Sequence, residues 1–168
     1  LNVHYYSGLT PPERATVDPN VVRSGASTGG TRTYEDDLVR LTDWRDEWKP
    51  GLPIWLTETG YDTAGPYGHP EEVQAARLPR VVLLALGHGI DKVMVYRESG
   101  STPGQHAASG LVRNDGSPKP SWTTYATLIR ELDGATDGLH LPWPDPDVRL
   151  FAWTRAGKPL LVAWAVEG

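Results

Sequence analysis

The sequence of 168 residues contains no cysteine. Disulfides, a thiol nucleophile and cysteine-ligated zinc are therefore excluded, while the compartment is left open. Positive charge is not in excess: 16 Lys and Arg stand against 21 Asp and Glu, for a net charge of −5. No electrostatic footprint for nucleic acid results. No apolar run approaches the roughly 20 residues that a membrane span needs. Histidine occurs five times, never as His-x-His or His-Glu-x-x-His, so a metal-hydrolase signature is weak. Phenylalanine and methionine occur once each, against seven Trp and seven Tyr. Trp and Tyr join a flat apolar ring to a polar handle, which suits wet apolar sites such as sugar platforms. Most of the seven Trp are nevertheless read as core. A hydrophobic content of 39% and a charged content of 22% fit a globular chain rather than a disordered one. The length allows a single domain.

The chain is organised around Pro53-Ile54-Trp55-Leu56-Thr57-Glu58-Thr59-Gly60-Tyr61-Asp62. The apolar and β-branched run, bounded by Pro53 and Gly60, predicts a short buried strand. Glu58 ends the run, where a parallel strand hands over to its loop. In a barrel of parallel strands the carboxyl ends carry the active site. Alternation predicts Ile54, Leu56 and Glu58 on one face, pointing with the barrel-filling residues, and Trp55 and Thr57 on the other, toward a helix layer. A solvent-facing carboxylate at the end of an ordinary strand is the plain alternative.

Before this stretch, Leu1 to Tyr6 reads as a strand with Asn2, His4 and Tyr6 on one face, and Ser7 to Arg32 as a long loop of the functional or mobile kind. Thr33 to Trp48 predicts a helix with a capping box at Thr33 and Asp36 and a buried stripe of Leu38, Leu41, Trp44 and Trp48. After it, Pro70 opens a second helix at its first position, with Glu71 and Glu72 as favourable first-turn charges and Pro79 inside. A strand follows over Asp91 to Tyr96, then a polar loop to Gly110. A third helix spans Pro120 to Leu132, with Trp122, Tyr125, Leu128, Ile129 and Leu132 inward. Pro142, Pro144 and Pro146 mark a linker, and residues 148–154 and 159–166 predict a β-hairpin. Alternating strands and helices predict an α/β fold with a parallel sheet, followed by a small antiparallel β-piece. Three such units do not close an eight-stranded barrel. Both ends, Leu1-Asn2-Val3 and Trp164-Ala165-Val166, read as cut from something larger.

Four segments carry a family resemblance. His4-Tyr5-Tyr6 resembles a sixth-strand His-x-Tyr, and Leu56-Thr57-Glu58-Thr59-Gly60 a seventh-strand nucleophile motif. Residues 89–96 resemble an eighth strand, and Gly110 to Pro120 the lead-in to a last barrel helix. In this order they are similar to the C-terminal part of the retaining glycoside hydrolases of the large (β/α)8-barrel clan, with catalytic glutamates on strands four and seven. The resemblance implies a TIM-barrel segment of about the last three βα units over residues 1–138. It implies the start of an accessory β-sandwich over residues 139–168.

It also implies roles. Glu58 is the expected nucleophile, and Tyr6 the residue whose hydroxyl holds and orients its carboxylate. His4 and Tyr96 line the sugar subsite, and Arg97 contacts sugar hydroxyls or pairs with Glu98. The family's Asn-Glu acid/base pair is missing: Asn2, Asn20 and Asn114 are not followed by Glu. Asp62 lies too near Glu58 along the loop to replace it. The chain is thus expected to supply the nucleophile half of a site acting on a polysaccharide or oligosaccharide, and by itself to be inactive. Its remaining barrel strands would come from a parent chain or a partner. No cofactor, metal, nucleic acid or membrane is implied, and a secreted or cell-surface setting is. The rival readings are a non-catalytic carbohydrate-binding or interaction fragment, and a metal-dependent barrel hydrolase using His4, Asp62 and His69.

Overall fold

A computed structural model describes residues 1–15, 32–66, 68–99, 106 and 108–166. Most of the loop expected over 7–32, with Asn20, lies outside them, as does much of the loop after Tyr96.

Among the described residues nine elements follow in the order β1 (Asn2–His4), α1 (Tyr34–Trp48), β2 (Trp55–Thr59), α2 (Glu71–Gly87), β3 (Lys92–Val95), α3 (Pro120–Leu132), β4 (Ala135–Leu141), β5 (Val148–Arg155) and β6 (Lys158–Ala165). The first three strands form a parallel sheet in the order β1-β2-β3. The last three form an antiparallel meander. The β5–β6 turn places Ala156 at φ 49° and Gly157 at φ 73°. Two positive φ values in a two-residue connection match the right-handed twist of the flanking strands. Among the described residues, no helix is long and apolar enough to cross a membrane.

Local chemistry accounts for the helices. At α1, Thr33 accepts from the Asp36 amide at 3.1 Å, and the Asp36 carboxylate accepts from the Thr33 amide at 2.8 Å. The box satisfies helix-start donors in both directions. Pro70 stands one position earlier than expected, as the cap before α2 rather than its first residue. Within α2, Pro79 has no N–H for the Ala75 carbonyl four residues back. Thr124 of α3 fills the gap: its hydroxyl donates to that carbonyl at 3.0 Å. The lost helix bond thus becomes a bond between helices.

Two predicted stripes are corrected. On α1 the buried residues are Tyr34, Leu38 and Thr42, whereas Trp44 and Trp48 are 42% and 64% exposed. The ring of Tyr34 stacks on Tyr5 at 4.2 Å, which turns the i, i+4 row of Tyr34 toward the sheet and Trp44 and Trp48 outward. On α3, Trp122 and Ile129 are exposed and Leu128 and Leu132 meet the core.

The boundary expected between residues 138 and 139 falls inside β4, which pairs with β5 on both sides of it, while Pro142, Pro144 and Pro146 lie in the β4–β5 connection. The antiparallel piece is a three-stranded sheet rather than a hairpin. Phe151 and Trp153 of this sheet join Ile54, just ahead of β2, Leu56 of β2, and Leu83 and Leu84 of α2 in one buried cluster. The contact is close enough that a Cβ at Gly87 would overlap the Phe151 ring.

Candidate functional site

The carboxyl ends of β1 and β2 lie side by side, with His4 paired to Glu58 across the sheet. The Tyr5 amide continues the ladder, donating to the Glu58 carbonyl at 3.0 Å. Two side chains then meet the Glu58 carboxylate. The Tyr6 hydroxyl donates to Oε2 at 3.1 Å. His4 Nδ1 lies 3.4 Å from the same oxygen. Burial, and then the hydrogen bond to Glu58, raise the Tyr6 phenol far above its ordinary range. Tyr6 is therefore held as a proton donor at any working pH.

The predicted facing of Glu58 is corrected. Ile54 and Leu56 are fully buried in the core cluster with the helices, whereas the Glu58 side chain is 35% exposed. The pairing register slips between Val3 and His4 on one side of β2 and between Leu56 and Thr59 on the other. A bulge of this kind inserts one residue and breaks the two-residue period. Thr59 returns to the buried face at 1% exposure. Glu58 is therefore freed from the core side that strict alternation assigns to it. Trp55, expected against the helix layer, lies on the opposite face from Ile54 and Leu56, with Lys92 Nζ 4.3 Å above its ring.

Tyr96 extends β3, its amide donating to the Thr59 carbonyl at 2.7 Å. Gly60 permits this approach, since a Cβ there would stand 2.5 Å from the Tyr96 carbonyl oxygen. The Tyr96–Arg97 peptide bond is cis. The Arg97 guanidinium stands 5.7 Å from the Tyr96 ring centre and makes no ion pair with Glu98 among the described residues. Tyr6 and Tyr96 are joined by His106, whose ring centre is 4.5 Å from that of Tyr6 and 5.3 Å from that of Tyr96. His106 Nδ1 lies 3.8 Å from the Asp62 carboxylate. The sequence reading missed His106, which carries no motif and sits in a long polar loop.

Polar contacts behind the site fix its loops. The Gln74 amide nitrogen donates to the carbonyls of Tyr61 and Ser109, both at 2.8 Å, and its oxygen accepts from Ser121 at 2.7 Å. Lys119 Nζ donates to Thr63 at 2.8 Å. Ser7 donates to the Tyr61 hydroxyl at 2.6 Å. Glu71 accepts from Arg113 at 2.9 Å and so has a structural partner. The trio His4, Asp62 and His69 does not assemble. His69 Nε2 faces the Gly8 carbonyl at 3.1 Å and its ring packs edge-on to Tyr61. The only His/Asp/Glu trio close enough for a shared ion among the described residues lies elsewhere, at Glu35, His88 and His140.

No protein-family model matches the chain. No curated protein sequence matches it either. Its fold is similar to that of a family 39 glycoside hydrolase from the gut symbiont Bacteroides cellulosilyticus, with a TM-score of 0.74 and 23% identity over 99% of this chain and 34% of that one. It is also similar to a polyextremophilic β-galactosidase from the Antarctic haloarchaeon Halorubrum lacusprofundi, with a TM-score of 0.50 and 21% identity over 86% of this chain and 21% of that one. A glucosidase from Croceicoccus marinus matches with a TM-score of 0.50 and 14% identity over 91% of this chain and 32% of that one. The chain thus spans about a third or less of these proteins. They are TIM-barrel glycosidases, and the likeness carries the fold.

Proposed function

We propose that this chain is the C-terminal part of a retaining (β/α)8-barrel glycoside hydrolase, with Glu58 as its nucleophile. In this reading β1, β2 and β3 are the sixth, seventh and eighth barrel strands. The accessory antiparallel domain begins at the turn ahead of β4. The observation that carries the reading is the hydrogen bond from Tyr6 to Glu58 at the adjoining carboxyl ends of parallel strands. Active sites of such barrels are built at that end. The similarity of fold to glycoside hydrolases supports the class.

The geometry suggests a division of labour. Tyr6 and His4 both lie on Oε2, which leaves Oε1 to be presented to the sugar. Oε1 attacks the anomeric carbon, the bond from that carbon to the leaving oxygen breaks, and the leaving oxygen takes a proton from an acid elsewhere in the barrel. Water then hydrolyses the glycosyl-enzyme with retention. Tyr96 offers a ring face to the sugar, and His4 and Arg97 offer hydrogen bonds to its hydroxyls. The acid, about 5–5.5 Å from the nucleophile in retaining enzymes, comes from the earlier strands of the barrel. Those strands and a carbohydrate are the partners this reading requires.

The test is mass spectrometry of the complete protein after incubation with activated 2-deoxy-2-fluoro glycosides of gluco, galacto and xylo configuration. A label on the peptide carrying Glu58, absent from Glu58→Gln, is the expected result. A label on another carboxylate, or full turnover by Glu58→Gln, overturns the proposal. The non-catalytic rival predicts sugar binding without any label.

A further inference from the structure

We propose that Glu35, His88 and His140 form a binding site for one divalent transition-metal ion of the zinc class, at the seam between the two sheets. The three come from separate elements: the first turn of α1, the residue that closes α2, and β4. Each offers one donor atom, and the three atoms lie within 4.8 Å of one another. His88 Nε2 is 2.9 Å from Glu35 Oε1, and the rings of His88 and His140 are 5.4 Å apart. Zinc binds imidazole nitrogen and carboxylate oxygen at about 2.0–2.2 Å. Ligand atoms of a tetrahedral site at that radius stand about 3.3 Å apart. The Glu35–His88 edge is already shorter than this, and the edges to His140, at no more than 4.8 Å, shorten when an ion is held.

The surroundings hold these groups in place. Glu35 and His88 are only 13% and 12% exposed. Arg149 Nε donates to the other Glu35 oxygen, Oε2, at 2.7 Å, and Arg149 Nη1 to the Pro146 carbonyl at 2.6 Å. Oε1 is thereby aimed at the histidines as a one-oxygen ligand. A group that orients a ligand from behind is the usual support of a metal site. The Phe151 ring lies 4.9 Å from His140 and 5.7 Å from His88 and walls one side. Two imidazoles and one carboxylate select zinc-like ions over calcium and magnesium, which take all-oxygen shells. The Arg149 charge opposes a dication, so affinity in the micromolar range is expected. An ion here would tie α1, α2 and β4 together.

The proposal is independent of the role given to Glu58. It is tested on the purified protein by calorimetric titration with zinc and by visible absorption with cobalt(II). One equivalent of zinc should bind and magnesium should not. At a hundredfold excess over Kd, zinc should raise Tm by about 5–10 °C. His88→Ala/His140→Ala, if its far-ultraviolet circular dichroism is unchanged, should bind at least tenfold more weakly. His4→Ala/His69→Ala should bind as the parent does. If the first double variant does not fold, histidine ring-proton NMR of the parent replaces it, with zinc shifting His88 and His140 alone. No saturable binding overturns the proposal. So does undiminished binding by the folded His88→Ala/His140→Ala variant, or zinc shifts confined to other histidines.

Discussion

Replacing Tyr6 by Phe removes one oxygen and keeps the ring that packs on His106 at 4.5 Å. What is lost is a 3.1 Å hydrogen bond to the carboxylate of Glu58. A hydrogen bond to a charged group contributes about 1.5–3 kcal/mol. Glu58 is a third exposed, so water replaces part of that, and about 1–2 kcal/mol is the expected loss. In the proposed mechanism the bond holds Oε2 while Oε1 attacks, so the loss falls on orientation of the carboxylate rather than on affinity for the sugar. At 1.36 kcal/mol per decade, kcat should fall about 5–30-fold with KM nearly unchanged. The Tyr6 phenol stays protonated throughout the working range. The ratio of the two enzymes should therefore show no titration of Tyr6 and be the same at pH 7 and pH 9, where carboxylates are ionised in both. Steady-state kinetics of the complete protein on an aryl glycoside, with single-turnover measurement of glycosyl-enzyme formation, reads this directly. A kcat within twofold of the parent, or an effect lying wholly in KM, refutes the reasoning.

Three further outcomes concern the scaffold. Thr124→Val keeps the shape but strands the Ala75 carbonyl beside Pro79. Urea unfolding should show a loss of about 1–2 kcal/mol, and an unchanged midpoint would refute the pairing. Gly87→Ala gains helix propensity of about 1 kcal/mol, yet its methyl would overlap Phe151. Overpacking costs about 1–3 kcal/mol, so net destabilisation is expected, and a more stable variant would refute the contact. Burial raises the phenols of Tyr5, Tyr6, Tyr34, Tyr61 and Tyr125 above the ordinary value of 10.0. A group whose folded value is raised gives stability that is complete below its unfolded value and is lost above it, so stability should fall as pH rises beyond about 10. Phenolate absorbance of the native protein should leave these five of the seven tyrosines untitrated there; seven titrating together near pH 10 with native circular dichroism would refute it.

Much of the fold was legible because its signals are local. The Thr33/Asp36 box and the apolar run at Ile54 act within a few residues, and the structure has elements where they point. What was missed depends on distant contacts. The β4 sequence Ala135-Thr136-Asp137-Gly138-Leu139-His140-Leu141 carries Asp and Gly, both poor strand formers. Its pairing slips between Thr136 and Leu139, and Asp137 has a φ of 58°, so no clean alternation exists to read. The facing of Glu58 failed for a similar reason, a bulge that no periodicity announces. Within the candidate site, the positions of His4, Tyr6 and Glu58 follow from strand ends in register. His106 reaches it from a loop, and its place depends on the two tyrosine rings it joins.

Glu13 gives the antiparallel sheet a purpose beyond its own stability. This carboxylate, 3% exposed, lies in the segment that continues from Tyr6 and Ser7. It receives Arg80 Nε from α2 at 2.8 Å and the Trp164 indole N–H from β6 at 2.7 Å. One buried anion therefore clamps the strand that delivers Tyr6 to an element more than 150 residues later in the chain. Cutting the chain ahead of β4 would not release a detachable module. It would remove the indole from Glu13, open the core at Phe151, and slacken the segment on which the tyrosine hydroxyl depends. The alignment of Tyr6 with Glu58 and the docking of the C-terminal sheet are in this way mechanically coupled.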